Sequence, residues 1–298
     1  MESIFIDAED GYKLDVHIFE IENPRAVVQV IHGMEEHQGR YEKFAHFLNE
    51  NGFTVVTSDM RGHGSNAKDL GFFKDKDGYK ELIEDQKIIT KYIKTRYQNI
   101  STYIFAHSMG AIITRVLLQD SSQNYDKVIL SGYPNYQAGA YAGILVANAI
   151  KLIKGPKYKS SLLTKLSIGQ FNRTLKSPET DLDWISYSKE NIESYSKDPI
   201  CGKGFTCEAY ADLFRLNILM HSKRRYKNVN SKLKLLLICG QDDPCTGGAK
   251  GQSDSKSILK CVGFDKIATV TYPNMRHEIL NEDDKKEVYR DILNFYLE

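Results

Sequence analysis

"YIFAHSMGAIITRVLL" runs from Tyr103 to Leu118. Its first half is a short apolar run rich in aromatic and branched side chains, the pattern of a buried strand. Its second half repeats apolar residues at helical spacing. The period changes at one polar residue, Ser108, with Ala106 two places before it and Gly110 two places after. A strand that turns sharply into a helix needs small neighbours at those places, because the helix folds back against the strand. The turn also sets the serine at a helix N-terminus, where backbone N–H groups and the helix dipole favour an anion. Two readings fit the string: a serine that caps the helix, and a nucleophile elbow G-x-S-x-G with alanine in its first position.

Working outward, the same alternation recurs. Upstream, "RAVVQVIHG" and "FTVVTSD" are apolar runs of the kind that lie in a sheet covered on both faces, and "RYEKFAHFLNENG" between them has helical spacing and ends at Gly52. Before these, Ser3–Asp7 and Leu14–Phe19 flank "AEDGY", a hairpin turn signal. A helical pattern covers about Tyr79 to Arg96, and "KVILSG" follows the helix that starts at Met109. Near the end the alternation resumes with the strand "KLKLLLICG", the helix "GGAKGQSDSKSILKCVG", the strand "IATVTYP" and the closing helix "DDKKEVYRDILNFYLE". Strand alternating with helix predicts an α/β fold with a mostly parallel sheet and helices on both faces. Residues 135–206 carry no strand signal and read as a helical insertion. The expected division is therefore core 1–134, cap 135–206 and core 207–298.

Composition narrows the function. The chain has 298 residues, with 40 basic and 39 acidic side chains and a net charge of +1, so nothing draws it toward nucleic acid. The first twenty residues lack the basic and then apolar pattern of a secretion signal, and no apolar run approaches the ~20 residues of a membrane helix. The expected location is the cytoplasm. The five cysteines, Cys201, Cys207, Cys239, Cys245 and Cys261, include no C-x-x-C pair and read as small buried or half-buried thiols.

A nucleophilic serine needs a base, a carboxylate to orient it and donors for the oxyanion. Ligands of open parallel sheets bind beyond the carboxyl ends of the strands, so partners are sought at other strand ends. "LLLICGQDDP" ends one strand with Asp242 and Asp243, and "TVTYPNMRHEILNE" places His277 after the last strand. The order Ser, Asp, His is that of α/β hydrolases. Neighbouring loop residues point different ways. Asp243 is favoured as the acid, with Asp242 as a turn residue. In "VIHGMEEH", His32 and Gly33 let the backbone turn, so that Met34 offers an N–H beside that of Met109.

"HGMEEHQGRY", "DMRGHGSN", "AHSMGA", "GQDDP" and "RHEILNE", in this order, resemble the monoacylglycerol lipase and lysophospholipase-like α/β hydrolases, a group also labelled serine aminopeptidase-like. The likeness covers about Val27–Ser131 and Leu235–Asn281, with the insertion in the position of a cap. It implies Ser108 as nucleophile, Asp243 as acid, His277 as base, and Met34 and Met109 as oxyanion donors. It further implies an acyl ester substrate and a mechanism that calls for no cofactor or metal. Small-ester carboxylesterase and peptidase activities share the same triad, and "SPETDLDW" offers Glu179, Asp181 and Asp183 as partners for a substrate ammonium. A non-enzymatic binding protein of this fold has no need to keep all three groups.

Other strings carry less. His32 and His37 are five apart, roughly 140° around a helix, and so do not share a face as metal-binding H-E-x-x-H histidines do. "DMRGHGSN" lacks the ending of a phosphate loop and reads as a glycine-rich turn beneath the site. "GILVANAIKLI" reads either as cap core or as the wall of an acyl-chain site, which makes Gly33, Ile144 and Leu145 candidate substrate contacts. With Lys151, Lys154, Lys157 and Lys159 nearby, the same stretch also suits transient contact with a membrane surface.

Overall fold

The structure is a computed structural model that describes residues 1–175 and 177–298. Eight strands form one sheet: β1 (Glu2–Asp7), β2 (Lys13–Phe19), β3 (Ala26–Ile31), β4 (Phe53–Ser58), β5 (Ser101–His107), β6 (Lys127–Ser131), β7 (Lys234–Gly240) and β8 (Lys266–Tyr272). Their order is β1-β2-β4-β3-β5-β6-β7-β8. β2 runs antiparallel to β1 and β4, and every other pair is parallel. The anticipated mostly parallel sheet is therefore present.

The strand sequences explain the layering. Successive side chains point to opposite faces, so a strand covered on both faces is apolar throughout. Ile104, Leu235 and Leu237 pack into the core on one face, with Leu82 of α2 (Gly78–Arg96), Ile113 of α3 (Met109–Ser121) and Leu259 of α8 (Gly248–Cys261). Phe105, Leu236 and Ile238 pack into the core on the other face, with Phe44 and Leu48 of α1 (Glu42–Glu50) and Ile292 of α9 (Lys286–Leu297).

Between β6 and β7 the chain leaves the sheet. α4 (Ala140–Lys154), α5 (Ser161–Ser167) and α6 (Lys189–Lys197) lie in this stretch, with 3₁₀ turns at Phe171–Thr174 and Asp183–Ile185. Among the described residues of 135–206 there is no strand, only an isolated bridge between Lys159 and Thr206. The path back to the sheet is a helix the sequence reading did not single out, α7 (Cys207–Met220). Thr206 caps it by accepting from the Ala209 N–H at 3.3 Å. α7 packs along α4 on one side and against α3 and α2 on the other.

Candidate active site

The site lies where β5 turns into α3. Ser108 has φ 52° and ψ −118°, a left-handed conformation that side chains other than glycine rarely take. Its N–H donates to the Ser131 carbonyl at 2.9 Å, which ties the turn to the end of β6. Small neighbours are required in fact. A Cβ on Gly110 would lie 2.3 Å from the Ile31 oxygen and 2.6 Å from the His32 oxygen.

Three side chains from three strand ends meet here. His277 Nε2 is 2.8 Å from Ser108 Oγ, and His277 Nδ1 is 3.0 Å from Asp243 Oδ2. All three are buried. The other oxygen of Asp243 accepts from the Cys245 N–H at 2.8 Å, which fixes the carboxylate. Asp242 points elsewhere and accepts from the exposed Tyr187 hydroxyl at 2.9 Å. Gly132 makes room, since a Cβ there would stand 3.1 Å from the His277 ring.

Electrostatics poise the histidine. Burial pushes the His277 imidazole down, but the Asp243 carboxylate outweighs it and holds the ring well above its ordinary 6.5. His107, with its ring centroid 4.6 Å from that of His277, goes the other way: burial first, and His277 second, push it down to about 4. A neutral neighbour adds no second cation beside His277.

The loop after β3 orders its amides in sequence. The Gly33 N–H donates to Glu36 Oε1 at 2.5 Å, and the Glu35 N–H donates to His63 Nε2 at 3.2 Å. Between them, the Met34 N–H has no acceptor among the described residues, and neither has the Met109 N–H. A Cβ on Gly33 would lie 3.0 Å from Ser108 Cβ, so the loop passes directly over the serine. Two free amides beside a serine hydroxyl suit an oxyanion.

A cavity of about 360 Å³ opens from Ser108 and His277 into the space beneath the cap. Ile112, Val146, Leu213, Phe214 and Ile168 line much of it, and the Trp184 ring packs at a tilt against His277, with centroids 4.9 Å apart. Gly33 lines it as expected, but Ile144 and Leu145 do not. α4 presents Ala140, Ala142, Gly143 and Val146 instead, while Leu145 is turned outward. Glu179, Asp181 and Asp183 are not part of the wall either; Asp183 is occupied with the Glu179 and Thr180 N–H groups.

The family model described as serine aminopeptidase, S33, matches residues 22–284. The chain belongs to that family. It is 25% identical to a monoacylglycerol lipase of Mycolicibacterium smegmatis, over 92% of this chain and 88% of the relative. It is 27% identical to the phospholipase YtpA of Bacillus subtilis, over 90% of this chain and 94% of the relative. Among solved structures, the carboxyl esterase of Bacillus coagulans in complex with glycerol superposes with a TM-score of 0.91 at 24% identity, covering 99% and 97% of the two chains. The monoacylglycerol lipase of Paleococcus ferrophilus superposes with a TM-score of 0.74 at 20% identity, covering 96% and 99%. The fold of this family member is the α/β-hydrolase fold.

Charged residues that the sequence reading quoted but did not use also gather here. Arg40 binds both oxygens of Glu278, at 2.6 and 2.8 Å, and Glu36 at 3.0 Å. Burial alone would raise the Glu278 carboxyl, but Arg40 brings it down to about 2. Glu282 accepts from the N–H groups of Tyr187, Ser188 and Arg276, joining the histidine loop to the cap. Charges beside the histidines, in "HGMEEHQGRY" and "RHEILNE", were the available signal.

Proposed function

We propose that this chain hydrolyses carboxylic esters of lipid-like substrates, monoacylglycerol or lysophospholipid, through an acyl-enzyme on Ser108. The observation that carries this reading is the hydrogen-bonded line Asp243–His277–Ser108 at the mouth of a largely apolar cavity. His277 Nε2 takes the hydroxyl proton as Ser108 Oγ bonds to the ester carbon. Asp243 keeps the imidazole oriented and offsets its charge. The carbonyl oxygen becomes an oxyanion between the Met34 and Met109 N–H groups. Loss of one such donor typically raises the barrier by about 2.7–4 kcal/mol. The tetrahedral carbon then expels the alcohol, which takes the proton from His277. Water, deprotonated by the same histidine, releases the acid. Every proton is carried by a side chain already in place, so the scheme calls for no cofactor.

In the same proposal residues 135–206 act as a cap that selects the acyl chain, between core parts 1–134 and 207–298. No helix among the described residues is long and apolar enough to cross a membrane. The outer face of the cap nevertheless exposes Leu145, Leu152 and Ile153 at 72%, 86% and 79%. These support transient contact with a lipid surface. The lysines support it less, since Lys151 turns inward to Glu208 and Lys157 pairs with Asp69. Five free cysteines suit a cytoplasmic setting.

The test is hydrolysis of monoacylglycerols from acetyl to palmitoyl, with Ser108→Ala alongside. Rates that rise with chain length and vanish in the variant are expected. Activity confined to short chains would make the protein a small-ester carboxylesterase. Full activity of Ser108→Ala would end the assignment.

A further inference from the structure

The oxyanion loop is held by the cap, and Glu35 is where the two join. Glu35 is buried at 8% exposure and has φ 57°, a left-handed conformation in a residue other than glycine. Such strain persists only where surrounding contacts enforce it. The contacts are four. The Glu35 N–H donates to His63 Nε2 at 3.2 Å. Its carbonyl accepts from the Gly202 N–H at 2.9 Å and from the Tyr195 hydroxyl at 3.0 Å. Its carboxylate Oε2 accepts from the Gly204 N–H at 3.0 Å. The three donors to Glu35 all come from the cap side: Tyr195 from α6, and Gly202 and Gly204 from the stretch that follows it. Two further bonds run the same way: His37 Nε2 to Asp198 at 2.9 Å, and Arg40 to Asn191 at 2.8 Å.

From this geometry, and resting on the catalytic reading above, we infer that Glu35 is a positioning residue for the oxyanion hole, acting through the Met34 amide and held in place by Tyr195 and the 202–204 backbone of the cap. The Met34 N–H is free because its two neighbours are fixed, Gly33 by Glu36 and Glu35 by His63. If the carbonyl or carboxylate of Glu35 is released, the left-handed turn relaxes and the Met34 amide swings away from the position over Ser108. The cap segment is then part of the catalytic apparatus as well as a roof over the substrate, and an oxyanion hole forms only with that segment seated.

The experiment uses the full chain and a soluble nitrophenyl ester. Tyr195→Phe removes one hydroxyl and keeps the ring that stacks on Arg40. Glu35→Ala removes the carboxylate, and Glu35→Gln keeps an oxygen for the Gly204 N–H. The expected result is a fall in kcat of about tenfold for Tyr195→Phe and Glu35→Ala, with KM within about twofold, and near-normal kcat for Glu35→Gln. A trifluoromethyl ketone, to which the serine adds to leave an oxyanion, should weaken in proportion to kcat, while product fatty acid should bind as before. A loss confined to KM, or unchanged kcat in Tyr195→Phe, overturns the inference. Should Glu35→Ala fail to fold, Tyr195→Phe still decides. Labelling of Ser108 by a fluorophosphonate separates the two levels: its absence in the unmodified protein sinks the catalytic reading itself, whereas labelling with unaltered variants sinks only the role of Glu35.

Discussion

At the scale of the residue, Ser108 shows what the position of the proposed nucleophile costs. A non-glycine side chain at φ 52° carries strain on the order of 1–3 kcal/mol. Glycine suits that conformation, so Ser108→Gly should be more stable than Ser108→Ala by about 1 kcal/mol, reversing the usual order of these residues beside a helix. Urea denaturation of the two variants measures this, and alanine proving the more stable would show that the turn is unstrained. The histidine gives a second test. Because Asp243 holds the imidazole above its ordinary 6.5, kcat/KM should climb with pH along a limb lying above that value, as the base loses its proton. In Asp243→Asn the lifting charge is gone, so the limb should move to lower pH while the plateau drops by about 10⁴. Asp242→Asn, altering an exposed contact with Tyr187, should leave both the limb and the plateau in place. A limb that stays put in Asp243→Asn would move the acid role elsewhere. Ser108, Asp243 and His277 were legible because strand ends and chain order point to them. Glu35 was not, because its value lies in a left-handed backbone and in cap partners about 160 positions away, such as Tyr195.

At the scale of the element, the strand–turn–helix unit depends on close backbone approach. Gly110→Ala puts a methyl group within 2.3 Å of a main-chain oxygen of β3, which a rotamer change cannot relieve. The expected cost is about 3 kcal/mol in denaturation, with α3 displaced and turnover lost. A cost below about 1 kcal/mol would mean that β3 and α3 are less tightly joined than the structure shows. The joint between α4 and α7 is polar where it is deepest. Glu208 and Asp212 lie one turn apart on α7, both almost wholly buried; Glu208 faces Lys151 of α4, while Asp212 faces Arg215 of its own helix and Gly78 at the start of α2. Burial first, and Glu208 second, push the Asp212 carboxyl up from 3.8 to about 7. Between those values the folded chain keeps a proton that the unfolded chain releases, so stability is fully present in acid and falls as pH rises toward 7. Asp212→Asn should therefore match the unmodified protein near pH 4 and exceed it above pH 7 by about 2–4 kcal/mol. Equal stabilities across the range would show Asp212 to be ionised throughout, fully offset by Arg215. Little of this joint could be read in advance. The central strands announced themselves as apolar runs covered on both faces, whereas β1 and β8 at the edges of the sheet are largely exposed. α4 is apolar nearly all round, so its sequence did not reveal which side faces the cavity. Packing on α7 decides this: Gly143 turns toward Phe214, whose ring would stand 2.7 Å from a Cβ at that position.

At the scale of the whole molecule, the cap must serve two surroundings. In the proposed reaction its inner face meets the acyl chain, and its outer face leaves large apolar side chains in water. Leu152 and Ile153 are adjacent, 86% and 79% exposed, at the end of α4 farthest along the chain from Ala140. Apolar surface of that size has a use where the substrate is delivered from a lipid phase. Burying a leucine and an isoleucine contributes roughly 1.5–3 kcal/mol each when complete; partial insertion of the pair is worth about 3 kcal/mol, close to a hundredfold in partition. Replacing both by glutamate (Leu152→Glu with Ile153→Glu) leaves Ser108, His277 and the cavity wall untouched, since neither residue lines it. The double variant should hydrolyse a soluble short-chain ester at the normal rate, while its rate on a long-chain monoacylglycerol dispersed in vesicles falls by ten- to a hundredfold. Sedimentation with those vesicles should fall in step. Equal rates on vesicles would confine the exposed pair to the ordinary apolar surface of a protein. A loss on the soluble ester as well would mean that the outer face of α4 is coupled to the catalytic groups through the cap, by way of the contacts that join it to the oxyanion loop.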